Sequence, residues 1–215
     1  NAIACSIEMQ LAMDGINKKM KQWNYPELEM GIGVHTGDVI VGNIGSENRT
    51  KYGIVGANVN LTYRIESYST GGQILISEAS YKKVAADIEI FDSFKVMPKG
   101  VKKDITIYNI KAIRSKPNLC LESPVIDLQA LKKAENISYS ILNGKHISAT
   151  SLAGKIAYRS KSHAFIEIAA QQLLPQALTN IKYTDPEKQE VYAKVVEFSF
   201  IDIKVRGFYI RFTSN

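Results

Sequence analysis

The chain has 215 residues, of which 45% are hydrophobic and 22% charged, enough for one large or two modest domains with apolar cores. It contains no apolar run near the roughly 20 residues of a membrane span, and its composition does not suggest disorder. Cys5 and Cys120 form no CxxC pair, which argues against a disulfide scaffold and a thiolate zinc site. Because the first residues also lack the profile of a secretion signal, we expect a cytoplasmic location.

The net charge of +6 is spread as +2 over residues 1–115 and +4 over residues 116–215. Neither half carries a basic arm, and the lysines are not interleaved with aromatic residues as in a single-strand nucleic-acid groove. The charge therefore allows weak affinity for anionic ligands such as nucleotides, and nucleic acid is not predicted as a partner.

The first half of the chain predicts alternating helices and strands. Apolar residues near 3.6-residue spacing predict a helix from Ala2 to about Trp23. After the break at Asn24-Tyr25-Pro26, the pattern predicts strands over 30–34, 39–41, 73–77, 88–97 and 104–112 and helices over 59–68 and 77–86. His35-Thr36-Gly37-Asp38 has the composition of a turn. This mixture predicts an α+β or α/β domain over residues 1–113.

The second half of the chain predicts a different class of fold. Two prolines and few regular signals over 114–124 indicate a linker, followed by a second domain over 125–215. Val125 to Glu135 is compatible with a short helix. From Lys145 onward, alternating apolar residues such as Phe208, Ile210 and Phe212 predict strands, and therefore a small antiparallel barrel or sandwich.

Asn60 and Arg64 are the most informative pair of polar residues. They lie four apart on a predicted helix and therefore share a face, just past Gly56. An amide and a guanidinium that point the same way could hold a ribose and a phosphate, since the guanidinium has a fixed charge and forked donors. In the alternative interpretation, Asn60 caps the helix locally and Arg64 pairs with a surface carboxylate such as Glu66 or Asp38.

One long segment carries a specific family pattern, namely GIGVHTGDVIVGNIGSENRTKYGIVGANVNLTYRIESYSTGGQILISEASYKKV. It resembles the second half of the class III adenylate/guanylate cyclase catalytic domain, through HTG-x-V, G-x-x-GS, Y-x-x-x-G-x-x-VN-x-x-x-R-x-E and GGQILIS. The later segment FDSFKVMPKGVKKDITIYNI is similar to that domain's terminal strand pair. The resemblance covers about residues 1–113 and implies a partial cyclase-type, ferredoxin-like α+β fold.

The resemblance also implies roles for individual residues. Asn60 matches the asparagine that orients the ribose of the nucleoside triphosphate, and Arg64 matches the arginine that stabilises charge on the α-phosphate. Ile54 and Gly56 match the strand turn that lines the base pocket, and Lys99 is similar to a lysine near the β- and γ-phosphates. Gly53 occupies a position at which cyclases carry a base-reading side chain. ATP and GTP therefore both stay open as substrates.

The resemblance implies a reaction with two Mg²⁺ or Mn²⁺ ions held by aspartates that lie upstream of the first helix in this family. Asp38 and Asp92 do not match those positions. We therefore expect residues 1–215 to be inert alone and the full-length parent to be the enzyme, working as a homodimer whose active site forms between two catalytic domains. Upstream segments of the parent could anchor it to a membrane.

The second half resembles a PilZ-type barrel, through KHISATSLAGKIAYRSKSHAFIEI and VYAKVVEFSFIDIKVRGFYIRFTS. PilZ domains bind cyclic di-GMP through an Arg-x-x-x-Arg stretch and an Asp/Asn-x-Ser-x-x-Gly turn. Here Ser160 could stand in the turn, but Tyr158 replaces the acidic residue and His163 the glycine. A degenerate barrel used for packing, dimerisation or regulation is favoured over cyclic di-GMP binding at Arg159 and Lys161.

Three functions follow from these observations. The leading one is the C-terminal portion of a cyclase that converts ATP or GTP to a cyclic nucleotide and pyrophosphate in signal transduction. The second is a catalytically dead cyclase-homology module that dimerises or senses nucleotide. The third is a PilZ receptor for cyclic di-GMP with a fused cyclase remnant.

Overall fold

The computed structural model describes residues 1–46, 49–97, 104–122, 126–143, 146–147, 150–185, 189–196 and 205–213. The chain forms two compact units, Asn1–Ser123 and Pro124–Asn215. The predicted fold classes are confirmed, since the first unit mixes helices with strands and the second is all-β.

In its described part, the first unit contains three helices and seven strands. They are α1 (Ala2–Gln22), β1 (Ile32–Val34), β2 (Ile40–Ser46), β3 (Arg49–Val55), α2 (Ala57–Tyr68), β4 (Ile74–Ser77), α3 (Glu78–Val84), β5 (Ile88–Val96), β6 (Ile105–Ile113) and β7 (Lys116–Cys120). Five strands form one sheet in the order β1-β4-β6-β5, and β7 pairs with β6. Strands β2 and β3 form a separate antiparallel hairpin, here called the β2–β3 hairpin.

The core of the first unit lies between α1 and the sheet. Ile3 and Ile7 of α1 are buried with Ile74 and Ile76 of β4, which alternate along that strand and therefore share a face. The predicted helix is confirmed, but its apolar stripe is buried only at the N-terminal end, and Leu11 and Ile16 are exposed. Strand β7 runs through the segment for which the sequence predicted an irregular linker.

Helix α2 packs against β1 and β4, with Ile65 fully buried. Gly33 of β1 makes this contact close, because a Cβ there would lie 2.6 Å from the backbone nitrogen of Glu66. The missing side chain thus sets the distance between the strand and the helix that carries Asn60 and Arg64.

The second unit contains only strands in its described part. They are β8 (Gln129–Asn143), β9 (His146–Ile147), β10 (Leu152–Arg159), β11 (His163–Glu167), β12 (Asn180–Thr184), β13 (Glu190–Val196) and β14 (Gly207–Phe212). Six of them pair in the order β10-β11-β14-β13-β12-β8, and β8 pairs again with β10, which closes an all-antiparallel barrel. Its interior is apolar, with Tyr139, Ile166, Ile181 and Ile210 fully or almost fully buried. The closed barrel is consistent with the PilZ-like architecture expected from the sequence.

The short helix considered for Val125 to Glu135 is wrong, because β8 begins at Gln129 and continues to Asn143. The sequence ALKKAE has high intrinsic helix propensity. Strand β8 nevertheless hydrogen-bonds along one edge to β10 and along the other to β12, and these pairings close the barrel. Tertiary pairing thus overrides local propensity here.

Candidate active site

Helix α2 presents Asn60 and Arg64 side by side. It begins after Gly56, whose φ of 151° lies in a region that favours glycine, so the chain turns sharply from β3 into the helix. Asn60 is exposed and Arg64 is half-buried. Their four-residue spacing places both on one face of the helix. An amide and a permanent cation are therefore available together at the surface of the first unit.

Among the described residues, no ion pair joins Arg64 to Glu66 or Asp38, the partners considered in the alternative interpretation. Tyr68 lies one turn later on α2, within reach of the charge of Arg64. Burial raises the pKa of Tyr68, and the positive charge of Arg64 opposes this effect. Tyr68 thus stays protonated at neutral pH and does not neutralise the guanidinium.

An open groove of about 520 Å³ runs along a different face of α2. Its lining comes from β1 and the following turn, from the β2–β3 hairpin and from α2: Gly33, His35, Gly37, Val39, Ile54, Asn58, Val59, Thr62, Tyr63 and Glu66. Ile54, predicted to line the base pocket, lies in this groove beside apolar side chains. Asn60 and Arg64 are not among the residues that line this groove.

Gly53 lies on β3 directly opposite Gly42 of β2. A Cβ built on Gly53 would meet only the Cδ1 atom of Ile44, at 4.0 Å, and one built on Gly42 would meet nothing within 4 Å. Two facing glycines thus leave a strip of bare backbone on one face of the hairpin, with room for a side chain or a flat ligand. Lys99, the remaining predicted substrate-binding residue, lies outside the described residues.

The sequence did not identify His35 and Asn58 as site residues. His35 follows β1, and its imidazole hydrogen-bonds to Ser77 and to Asn58 of α2. The segment His35-Thr36-Gly37-Asp38 has the composition of a turn, and turn composition gives no indication of a histidine that joins two helices. Gly37 is the residue from which this contact could have been inferred, because a Cβ at residue 37 would collide with the Asn58 carboxamide.

The β2–β3 hairpin exposes several large apolar side chains. Ile40, Val41, Tyr52 and Ile54 are each more than half exposed, and Tyr63 of α2 nearby along the groove is 70% exposed. Val41, Tyr52 and Ile54 share one face of the hairpin, because Val41 pairs with Ile54 and Tyr52 lies two residues before it, whereas Ile40 lies on the other face.

The described ranges contain no group of three or more His, Cys, Asp or Glu side chains that could hold a metal ion. The two-ion site that the family resemblance implies therefore does not fit the residues described. None of the helices in the described part of the chain combines the length and apolarity needed to cross a membrane.

The barrel has a second, polar pocket of about 490 Å³ beside the turn Ser160-Lys161-Ser162. The Arg159 guanidinium at its edge lies 3.6 Å from Glu135 and stacks over the Phe212 ring at 5.0 Å.

His163, where PilZ domains carry glycine, is only 5% exposed and lies 2.8 Å from the Ser162 hydroxyl. Burial, helped by the charge of Arg211, lowers the pKa of His163 to about 4. It is therefore a neutral buried histidine.

The comparisons with known proteins identify the first unit as a nucleotide cyclase catalytic domain. Residues 1–112 match the family model of the adenylate and guanylate cyclase catalytic domain, just over half of the chain. The chain belongs to this family.

Individual relatives agree with this assignment. An adenylate cyclase of Anabaena cylindrica is 31% identical over 121 residues, which are 52% of this chain and 24% of that protein. The soluble guanylate cyclase gcy-37 of Caenorhabditis elegans is 36% identical over 83 residues, 37% of this chain and 11% of that protein. The crystal structure of the guanylyl cyclase Cya2 is similar with a TM-score of 0.53 and 50% identity, covering 56% of this chain and 61% of that one. The chain thus spans about a quarter or less of these two full-length relatives.

Proposed function

We propose that this chain is part of a longer nucleotidyl cyclase, which converts a nucleoside triphosphate to a 3′,5′-cyclic nucleotide and pyrophosphate. The observation that carries the proposal is the pair on α2: Asn60 and Arg64 share an accessible face, and among the described residues no carboxylate neutralises the guanidinium. The family membership of residues 1–112 supports the reaction class.

In the proposed reaction the ribose 3′-oxygen attacks the α-phosphorus. The new bond joins the 3′-oxygen to the phosphorus, the bond to the bridging oxygen of the β-phosphate breaks, and pyrophosphate leaves. The proton of the 3′-hydroxyl is released to solvent. The Asn60 carboxamide holds the ribose so that the 3′-oxygen faces the phosphorus. The Arg64 guanidinium donates hydrogen bonds to the α-phosphate oxygens, on which negative charge builds in the transition state.

The remaining predicted residues bind the substrate in this proposal. Ile54 packs against the base, Gly56 lets the chain approach it closely, and Lys99 contacts the β- and γ-phosphates. Gly53 offers no side chain to read the base edge. GTP is the substrate to test first, because the solved relative with 50% identity is a guanylyl cyclase, and ATP is the second.

The activity requires Mg²⁺ or Mn²⁺, and we propose that their ligands belong to another segment of the longer protein. Such ions would supply activation of the 3′-hydroxyl and neutralisation of phosphate charge. The residues described here do not fit such a site, so their contribution is to orient the ribose and to stabilise the α-phosphate. Residues 1–215 alone are expected to be inert.

The partner in the active site is a second copy of the protein. The exposed apolar side chains of the β2–β3 hairpin, with Tyr63, supply the surface that such a dimer would bury. A symmetric dimer places one copy's α2 residues opposite the other copy's surface.

The experiment is Arg64→Ala in the longer protein, assayed with Mn²⁺ and either GTP or ATP. Loss of a donor to the transition state costs about 10²–10³ in rate, and we expect this loss in kcat with a much smaller rise in KM. Lys83→Ala, which removes an exposed cation from α3, serves as the matched control and should leave kcat unchanged. Unchanged turnover in Arg64→Ala would refute the proposal. If the unaltered protein binds nucleotide without turnover, the catalytically dead sensing module is the correct function.

A further inference from the structure

The His35 side chain joins the ends of two helices. Its Nδ1 atom lies 2.7 Å from the Ser77 hydroxyl, and its Nε2 atom lies 3.0 Å from the Asn58 Oδ1 atom. Ser77 is the N-cap of α3, and Asn58 is the second residue of α2. One half-buried imidazole thus spans from the end of β4 to the first turn of the helix that carries Asn60 and Arg64.

The hydrogen bonds of Asn58 fix the tautomer of His35. The Asn58 Nδ2 atom donates to the Asp38 carbonyl oxygen at 2.8 Å, so its Oδ1 atom must face His35 as an acceptor. Nε2 of His35 therefore carries a hydrogen and donates it to Asn58. The absence of a side chain at Gly37 leaves the space that the Asn58 carboxamide fills.

The Nδ1 side of the His35 ring contacts a buried pair of serines, Ser77 and Ser80. Ser77 and Ser80 are each 4% exposed, and the Ser77 hydroxyl accepts the backbone N–H of Ser80 at 3.2 Å. The Ser80 hydroxyl lies 3.1 Å from that of Thr36, the residue next to His35. Buried hydroxyls that cap α3 thus hold the imidazole in one orientation.

Helix α2 depends on this contact because its own start is weakly held. Its N-cap is Gly56, which has no side chain to cap the first turn, and no acidic residue lies in that turn. The Asn58 carboxamide, held through both its oxygen and its nitrogen, anchors the turn instead. At about 1.5 Å of rise per residue, Asn60 lies roughly 3 Å and Arg64 roughly 9 Å further along the axis, so a shift at Asn58 is transmitted to both.

We propose that His35 is a positioning residue for the nucleotide-binding pair: through Asn58 it fixes the place of α2, and so of Asn60 and Arg64. The inference rests on the proposed function. His35 itself contacts neither residue of the pair and takes no part in the chemistry. Because a misplacement of about 1 Å can cost about 10² in rate, loss of this contact lowers kcat far more than it raises KM.

Two conservative variants of the longer protein separate the two contacts of His35. His35→Gln places an amide nitrogen near the position of Nε2 and keeps the donor to Asn58. His35→Asn places its amide near Nδ1, which keeps the contact with Ser77 and loses the one with Asn58. We expect kcat within about threefold of the unaltered protein for His35→Gln and a fall of roughly 10–100-fold for His35→Asn. Asn58→Ala should match His35→Asn, and the double variant should be no worse than either.

The same assays decide against the inference if it is wrong. It fails if His35→Asn keeps full kcat, or if both His35 variants lose activity only in proportion to a lower melting temperature. Arg64→Ala, measured in parallel, separates this failure from that of the proposed function. Full turnover in Arg64→Ala refutes the cyclase role of the pair, whereas its loss together with a fully active His35→Asn refutes only the positioning role.

Discussion

Gly33→Ala tests whether the distance between β1 and α2 controls the site. A Cβ at residue 33 would lie 2.6 Å from the backbone nitrogen of Glu66 and 2.7 Å from its Cα atom. Both are main-chain atoms of a helix, so no side-chain rotation can relieve the overlap. Restoring an ordinary contact near 3.5 Å requires α2 to retreat by roughly 1 Å.

Two consequences follow from that retreat. Overpacking of this kind typically costs about 1–3 kcal/mol of stability, so we expect the melting temperature of the first unit to fall. The retreat also moves Asn60 and Arg64, and a displacement of about 1 Å is worth about 10² in rate. We therefore expect kcat of the longer protein to fall about a hundredfold at a temperature where the variant is still folded.

Gly15→Ala is the matched control. Gly15 lies within α1, and a Cβ there would meet nothing within 4 Å, so alanine should stabilise the helix by about 0.5–1 kcal/mol without changing kcat. Thermal unfolding followed by circular dichroism and initial rates with Mn²⁺ and GTP or ATP measure both effects. Normal kcat in a folded Gly33→Ala protein would show that the position of α2 does not limit turnover, and the reasoning would fail.

Three further predictions concern other parts of the chain. Gly53→Thr should fold normally, since a Cβ at residue 53 has open space. The substitution should change the ratio of kcat/KM for GTP to kcat/KM for ATP by more than threefold. An unchanged ratio would exclude a role for residue 53 in nucleotide selectivity. Calorimetry of the chain with cyclic di-GMP should give no heat at micromolar concentrations, because Arg159 is held by Glu135 and Phe212; saturable heat that Arg159→Ala abolishes would contradict this. The last concerns His163, whose pKa in the folded barrel is about 4, well below its usual 6.5. Between pH 6.5 and 4 only the unfolded state takes up a proton, so the stability of the barrel should be constant above pH 6.5 and fall by up to about 3 kcal/mol as the pH drops towards 4. His163→Asn should flatten this dependence in urea unfolding followed by barrel amide signals, and an equally steep fall in that variant would assign it to another group.

The sequence was sufficient to predict most of the elements that carry the site. The 3.6-residue periodicity of α1 and the alternation of β14 are local patterns, and the structure confirms both elements. The helix with Asn60 and Arg64 was predicted to start at Val59 and starts at Ala57. Strand β14 buries the face that its sequence marks as apolar, whereas α1 buries only the N-terminal part of its apolar stripe.

The β2–β3 hairpin and strand β8 show what local patterns miss. Strand β3 begins at Arg49, within the polar segment Glu47 to Lys51, and its side chains are mostly exposed, so no alternation of buried and exposed residues marks it. Strand β8 has a helix-forming composition and is fixed by partners that follow it in the chain, β10 and β12. Pairing with other strands determines that both segments are extended. A window of ten residues contains no information about such pairing.

The residues of the candidate site likewise divide into those that local patterns predict and those that depend on distant contacts. Asn60 and Arg64 could be named because a four-residue spacing on a helix is a local property. The contact of His35 with Asn58 joins residues 23 positions apart and depends on where β1 ends relative to α2. In the sequence, Gly33 was visible only as part of the predicted strand over 30–34, and Gly37 only as part of a predicted turn. At both positions, α2 or one of its side chains occupies the space that a Cβ would need. The position of α2 therefore explains why glycine stands at residues 33 and 37.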